Sequence, residues 1–148
     1  MRLWVALYAM IWLVLLQIWL GYTPLAPPVP QYAHVVLGVA LVGLAYLNFG
    51  ALRRSTAPGR VKRTARATLA LCLFMIPLGV ALFFHVGASW VVAWGVTFEG
   101  GVRFLHFVTA LAIFSQVSAT AVVYDVWEEK EFEHPTTPGE IPPPPPAT

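Results

Sequence analysis

Four long apolar stretches constrain the fold of this chain more than any other feature. They cover residues 1–20, 32–52, 67–86 and 102–127, and none carries a charge in its middle. Each can cross about 30 Å of hydrocarbon as a helix. A chain of 148 residues that is 58% hydrophobic and 11% charged cannot bury this much apolar surface in one soluble core. Because backbone groups in lipid must pair within their own segment, the sequence predicts an all-α, multi-pass integral membrane protein.

The basic residues predict how the chain is oriented. Six of the nine Lys and Arg fall between the second and third stretches: Arg53, Arg54, Arg60, Lys62, Arg63 and Arg66. Basic residues of short connections stay in the cytoplasm. We therefore expect both termini inside, an antiparallel four-helix bundle and residence in the plasma membrane of a prokaryote. The net charge of +2 then reports topology and excludes a nucleic-acid partner.

The chain divides into a bundle, residues 1–127, and a cytoplasmic tail, residues 128–148. The first stretch is too long for the apolar region of a signal peptide, so we expect an uncleaved anchor. In the tail, a charged run over 128–133 extends the last helix, and the prolines that follow favour an extended polyproline segment, free or bound to a partner. Residues 87–98 are apolar and aromatic, and we expect a short surface segment that covers the outer end of the bundle, not a longer helix.

Three histidines stand at the same predicted depth. His34, His85 and His106 each lie 19 residues from the first charged residue at the inner end of a different span, namely Arg53, Arg66 and Asp125, which corresponds to roughly 27–29 Å at helical rise. They should therefore converge near the outer face, where imidazoles can hold a haem iron or another transition metal. The fourth, His134, lies among acids and prolines and is expected to be solvated.

The second and fourth spans run in the same direction, so His34 and His106 are predicted to face each other as axial ligands of a b-type haem. His85 is a rival ligand or a hydrogen-bond donor to a ligand or propionate. One turn deeper, Gly38 and Ala110 leave room for a flat porphyrin, although small residues equally serve close helix packing.

Polar residues near these histidines have two interpretations each. Arg103 and Gln31 lie three residues before His106 and His34, and Arg103 is a candidate partner for a haem propionate or for Glu99. An alternative is a copper or zinc site of His85, His106 and Glu99. A polar stripe low in the last span favours hydrogen bonds between helices or a quinone headgroup: Ser115, Gln116, Ser118 and Thr120.

Two segments resemble one four-helix half of the haem A synthase family: Gln31, Tyr32, Ala33, His34 and the apolar run to Arg53 and Arg54, and Arg103, Phe104, Leu105, His106 and its span. The family resembles two joined bundles, with a histidine near the outer end of the second and fourth helix of each, and the likeness covers residues 1–127. The family has glutamate where this chain has Gln31, often arginine where it has Val35, and in many members an outer cysteine pair, whereas the lone cysteine here is Cys72 in the third span. The resemblance therefore implies haem binding more than haem A synthesis.

These observations predict a membrane haem-binding protein that carries haem b (iron protoporphyrin IX) near the outer face and serves electron transfer or haem handling. The expected partners are the lipid bilayer, a quinone or respiratory-complex subunits, and a second copy of the chain. In the alternative, the chain is a non-catalytic accessory subunit of a respiratory membrane complex. Its histidines then lie at the membrane–water interface and bind no metal.

Overall fold

The computed structural model describes residues 3–22 and 29–133, which form four long helices and one small hairpin. The elements in chain order are α1 (Leu3–Tyr22), α2 (Val29–Arg54), α3 (Gly59–Phe83), β1 (Val91–Ala93), β2 (Val96–Thr97) and α4 (Phe98–Glu133). All four helices are long and apolar enough to span a membrane. The four predicted spans are therefore confirmed as helices, and the charged run over 128–133 continues α4 as expected.

The helices pack in a ring around a common core. Helices α1 and α3 each contact both α2 and α4. Residues three or four apart lie on one face of a helix, and such stripes supply two clusters of buried side chains. One cluster contains Leu7, Leu52, Ala57, Val61, Ala65, Ala121 and Tyr124, and the other contains Met10, Val14, Leu41, Ala45, Cys72, Ile113 and Val117.

The outer surface of the ring is also apolar. Large side chains such as Trp12, Val39 and Phe104 are mostly exposed. A soluble protein rarely exposes contiguous apolar surface on this scale, whereas lipid accommodates it. The outward side chains therefore agree with the membrane location that helix length and composition indicate.

The connection between α2 and α3 is shorter than predicted. Helix α3 begins at Gly59, eight residues before the expected boundary, so most of the basic residues extend helices and do not occupy a loop. The Ser55 hydroxyl donates to Leu52 O at 2.8 Å, and Lys62 Nζ donates to Ser55 O at 2.7 Å. Pro58 precedes α3 because its fixed φ suits a helix start. We call this side of the protein the basic end.

The opposite side, the histidine end, carries a hairpin between α3 and α4 where the sequence predicted a surface segment. As predicted, this segment is separate from α3 and does not lengthen that helix. Its two antiparallel strands are an exception to the all-α prediction. Trp94 (φ 45°) and Gly95 (φ 79°) form the two-residue loop, and two positive φ values are typical of a type I′ turn.

Backbone and side-chain contacts fix the hairpin to the start of α4. Phe98 N donates to Trp90 O at 2.8 Å. The Thr97 hydroxyl accepts a hydrogen bond from Gly100 N at 3.1 Å and so caps α4. Gly87 has φ 72°, and a Cβ there would lie 2.7 Å from Phe98 Cδ1, so only glycine fits. The segment therefore packs against α4.

Two proline-rich segments lie outside the described residues. They are the connection at 23–28, between the first two spans, and the part of the predicted tail at 134–148, which includes His134.

Candidate functional site

At the histidine end, α2 and α4 contribute His34 and His106 to one layer of the bundle. His34 precedes the buried Leu41 by seven residues, and His106 precedes the buried Ile113 by seven. A spacing of seven residues keeps a side chain on the same helix face, two turns or about 10 Å away. Both histidines therefore belong to the inward-facing stripes of α2 and α4.

The structure brings His34 and His106 together, as the sequence predicted. Their ring centroids lie 6.1 Å apart, and the ring planes are inclined by 40°. Both residues are half-buried. Aromatic pairs join neighbouring helices beside this layer, Tyr22 with Phe107 and Tyr32 with Phe83. The two imidazoles thus share one partly enclosed space between the helices.

Glycines of the other two helices lie beside the imidazoles. A Cβ on Gly21 would lie 3.7 Å from His34 Cε1, and a Cβ on Gly79 would lie 3.7 Å from His106 Cε1. The rings therefore pack over bare backbone of α1 and α3. Our sequence reasoning missed both glycines. Their helical spacing could have identified them, because residues four or seven apart share a helix face. Gly21 follows the buried Gln17 by four residues, and Gly79 follows the buried Cys72 by seven.

Each imidazole has one buried nitrogen without a protein partner. The Nδ1 atoms of His34 and His106 are both buried, and neither makes a hydrogen bond within the described part of the chain. Leaving a buried donor or acceptor unpaired costs about 1–3 kcal/mol. A bound group that satisfies these nitrogens would therefore be stabilised here.

Gln17 occupies the space that the sequence assigned to a porphyrin beside Gly38. Its Nε2 donates to His34 O at 2.8 Å, and a Cβ on Gly38 would lie 3.2 Å from that nitrogen. Gln17 Oε1 is buried without a partner among the described residues. The patch at Gly38 is therefore not empty, which corrects the prediction. Our sequence reasoning missed Gln17, although it is the one amide in the apolar run of α1. Ala110, the corresponding position on α4, is half-buried.

His85 does not join the histidine pair. Its Nδ1 lies 3.3 Å from Glu99 Oε1, and its side chain is 70% exposed. The reason is local, because α3 ends at Phe83 and His85 has φ 50°, which turns the chain away from the helix axis. Arg103 Nη2 donates to the same Glu99 oxygen at 2.8 Å. The sequence predicted that Arg103 pairs with a haem propionate or with Glu99, and in the structure it pairs with Glu99.

The predicted site of His85, His106 and Glu99 is not formed. Within residues 3–22 and 29–133, no three His, Cys, Asp or Glu side chains form a group that could hold a metal ion. Gln31 lies exposed in the first turns of α2. In the polar stripe of α4, Gln116 makes a contact between helices, because its Oε1 accepts a hydrogen bond from the Thr68 hydroxyl of α3 at 3.2 Å.

The separation of the two rings would allow both to hold one metal ion. At a centroid distance of 6.1 Å, one nitrogen of each ring could approach a single metal ion to about 2.1 Å. Two neutral imidazoles without a carboxylate or thiolate are a typical donor set for haem iron. A porphyrin would require the Gln17 side chain to move from its position over Gly38. His34 and His106 would hold the group, and Gln17 would lie at its edge.

No known protein family, curated protein or solved structure matches the chain. The resemblance to haem A synthase therefore remains a prediction that depends on the residues quoted for it.

Proposed function

We propose that this protein is a membrane haem-binding protein in which His34 and His106 would hold a b-type haem. The observation that supports this proposal best is the pair itself. Its ring centroids lie 6.1 Å apart, and each ring has a buried Nδ1 that makes no hydrogen bond with the described residues. Bare backbone at Gly21 and Gly79 lets both rings enter the space between the helices.

The ligand set favours electron transfer or haem handling over catalysis at the metal. Held by two imidazoles, a haem would supply reversible one-electron chemistry and would offer no coordination position to a substrate. The protein residues hold the two rings at a set distance and exclude water with an apolar layer below them. Arg103 could turn from Glu99 towards a propionate, since its side chain is 68% exposed.

We further propose that both termini are cytoplasmic and that the helices form an antiparallel bundle. The support is the concentration of Arg and Lys at the basic end, which would be the inner side. The histidine pair would then lie near the outer face of a prokaryotic plasma membrane. A quinone or a subunit of a respiratory complex at that face would exchange electrons with the bound haem.

The test is an absorption spectrum of protein purified from haem-replete membranes. The expected result is a reduced-minus-oxidised spectrum typical of b-type haem, lost in His34→Ala and in His106→Ala. His85→Ala is the matched control, because that imidazole is exposed and contacts Glu99, and it should keep the spectrum. Circular dichroism of each variant checks that the helices are retained.

Folded protein without colour or iron would overturn the proposal and favour the accessory-subunit alternative. Haem that persists in both single histidine variants would also contradict it, because the proposed ligands would then be wrong. Elemental analysis distinguishes iron from copper or zinc at the same pair.

A further inference from the structure

The hairpin at the histidine end is apolar on both of its faces. Residues 86–98 include no charged side chain, and Trp90, Val91, Val92 and Val96 are all at least half exposed. Successive strand residues point to opposite faces, so Val91 and Val92 present apolar surface on the two sides. A two-stranded hairpin is only marginally stable in water. The hairpin therefore needs an apolar environment beyond its own residues.

The loop of the hairpin holds a tryptophan in a conformation that opposes it. Trp94 has φ 45° and is 99% exposed. The first loop position of a type I′ turn favours Asn, Asp or Gly, and a bulky side chain with positive φ is strained. Contact with a bilayer would offset this strain, because indole rings favour the boundary between headgroups and acyl chains.

The hairpin folds back along α4 and does not extend into water. An open groove of about 440 Å³ separates the two, lined by hairpin residues that include Val92 and Trp94 and by α4 residues down to Leu105. Leu105 lies seven residues into α4, about 10 Å along its axis. The exposed side chains of Phe104 and Val108 continue this apolar surface along α4. The groove is therefore continuous with the surface that would face lipid.

Charged groups near the hairpin indicate where the aqueous phase begins. His85, Glu99 and Arg103 form a connected polar cluster, and the side chains of His85 and Arg103 are mostly exposed. The ring centroids of Trp90 and Phe98 lie 6.1 Å apart. This aromatic pair holds the hairpin next to the polar cluster. Glu99 and Arg103 lie in the same turns of α4 as the groove residues Phe98 and Leu105, so the boundary of the bilayer would lie at the level of the groove.

We propose that residues 90–97 lie in the boundary between headgroups and acyl chains of the leaflet at the histidine end, and that an acyl chain of a phospholipid fills the groove. The hairpin would hold the start of α4, and with it His106, at a set depth in the bilayer. This inference depends on the membrane location and not on haem.

Fluorescence quenching in vesicles tests this placement. Single cysteines replace Trp94, Val39 and Thr56 in a Cys72→Ala background, and each carries a polarity-sensitive maleimide fluorophore. Val39 is an exposed position in the middle of α2, and Thr56 is an exposed position in the connection at the basic end. They calibrate the hydrocarbon and the aqueous phase. The full chain is reconstituted in phosphatidylcholine vesicles with lipids spin-labelled at a shallow or a deep acyl carbon.

The expected result is that the label at residue 94 loses emission to the shallow spin label more than to the deep one, and is protected from aqueous iodide. The label at residue 39 should be quenched more by the deep spin label than by the shallow one, and the label at residue 56 should be quenched by iodide. Quenching of the residue 94 label by iodide, with no loss to either lipid, would overturn the proposal in favour of a hairpin in water. Protection from iodide and from both lipids would also overturn it, and would indicate coverage by protein. Val92→Cys replaces Trp94→Cys if the latter does not retain its helices.

Discussion

Replacing Gly38 with alanine should leave the protein less stable than the same change at Gly43, which should stabilise it. Both glycines belong to α2, and alanine is favoured over glycine in a helix by about 1 kcal/mol. A Cβ at position 43 meets nothing within 4 Å, so this gain should appear undiminished. A Cβ at position 38 would lie 3.2 Å from Gln17 Nε2, which is held by its bond to His34 O.

The magnitude follows from the hydrogen bond that the new methyl group displaces. A buried donor left without its acceptor costs about 1–3 kcal/mol, which exceeds or cancels the gain in helix propensity. The free energy of unfolding of Gly38→Ala should therefore lie about 1–3 kcal/mol below that of Gly43→Ala. In a Gln17→Ala background the contact is absent, so Gly38→Ala should lose its penalty, which is the non-additivity expected of contacting residues.

The assay is unfolding of the detergent-solubilised protein by an increasing mole fraction of sodium dodecyl sulfate, followed by helical circular dichroism. Equal stabilities of Gly38→Ala and Gly43→Ala would refute the reasoning. A penalty for Gly38→Ala that persists without the Gln17 amide would refute it as well, because the effect would then have another cause.

Two further predictions concern glycines that lie against side chains. Gly79→Leu should displace the His106 ring and abolish the proposed haem spectrum, whereas Gly79→Ala, whose Cβ makes an ordinary contact at 3.7 Å, should retain it; equal spectra would show that the ring does not need this space. Gly87→Ala and Gly95→Ala share the strain of positive φ, but only the Cβ at position 87 would lie 2.7 Å from Phe98 Cδ1. Gly87→Ala should therefore cost about 1–3 kcal/mol more, the usual cost of overpacking; the same detergent titration measures the difference, and equal losses would contradict the clash.

Local sequence patterns predicted the four spans well, but they predicted the ends of α3 poorly. The apolar run begins at residue 67, whereas the helix begins at Gly59, because hydropathy reports the depth in lipid and not where backbone hydrogen bonding starts. The other end depends on the positive φ of His85. Nothing in residue type distinguishes that histidine from one that continues a helix.

The histidine pair was predictable in part. Helical rise places His34 and His106 at the same depth, which is a property of each helix alone. The helices are apolar on all sides, so only their packing decides that both histidines face inward. The same depth argument included His85, which contacts Glu99 and not the pair. Depth along a helix sets the height of a side chain, but the conformation at the end of α3 sets its direction.

The sequence by itself determined that the chain forms four apolar helices and that three histidines stand at one predicted depth, since length, hydropathy and helical rise are local properties. Only the tertiary structure decided what surrounds those histidines. The amide of Gln17 lies over Gly38, and Gly21 and Gly79 lie beside the rings. These contacts join residues of different helices, so they depend on the rotation and height of each helix relative to its neighbours. That relative placement results from packing the whole bundle and cannot be read from any single segment.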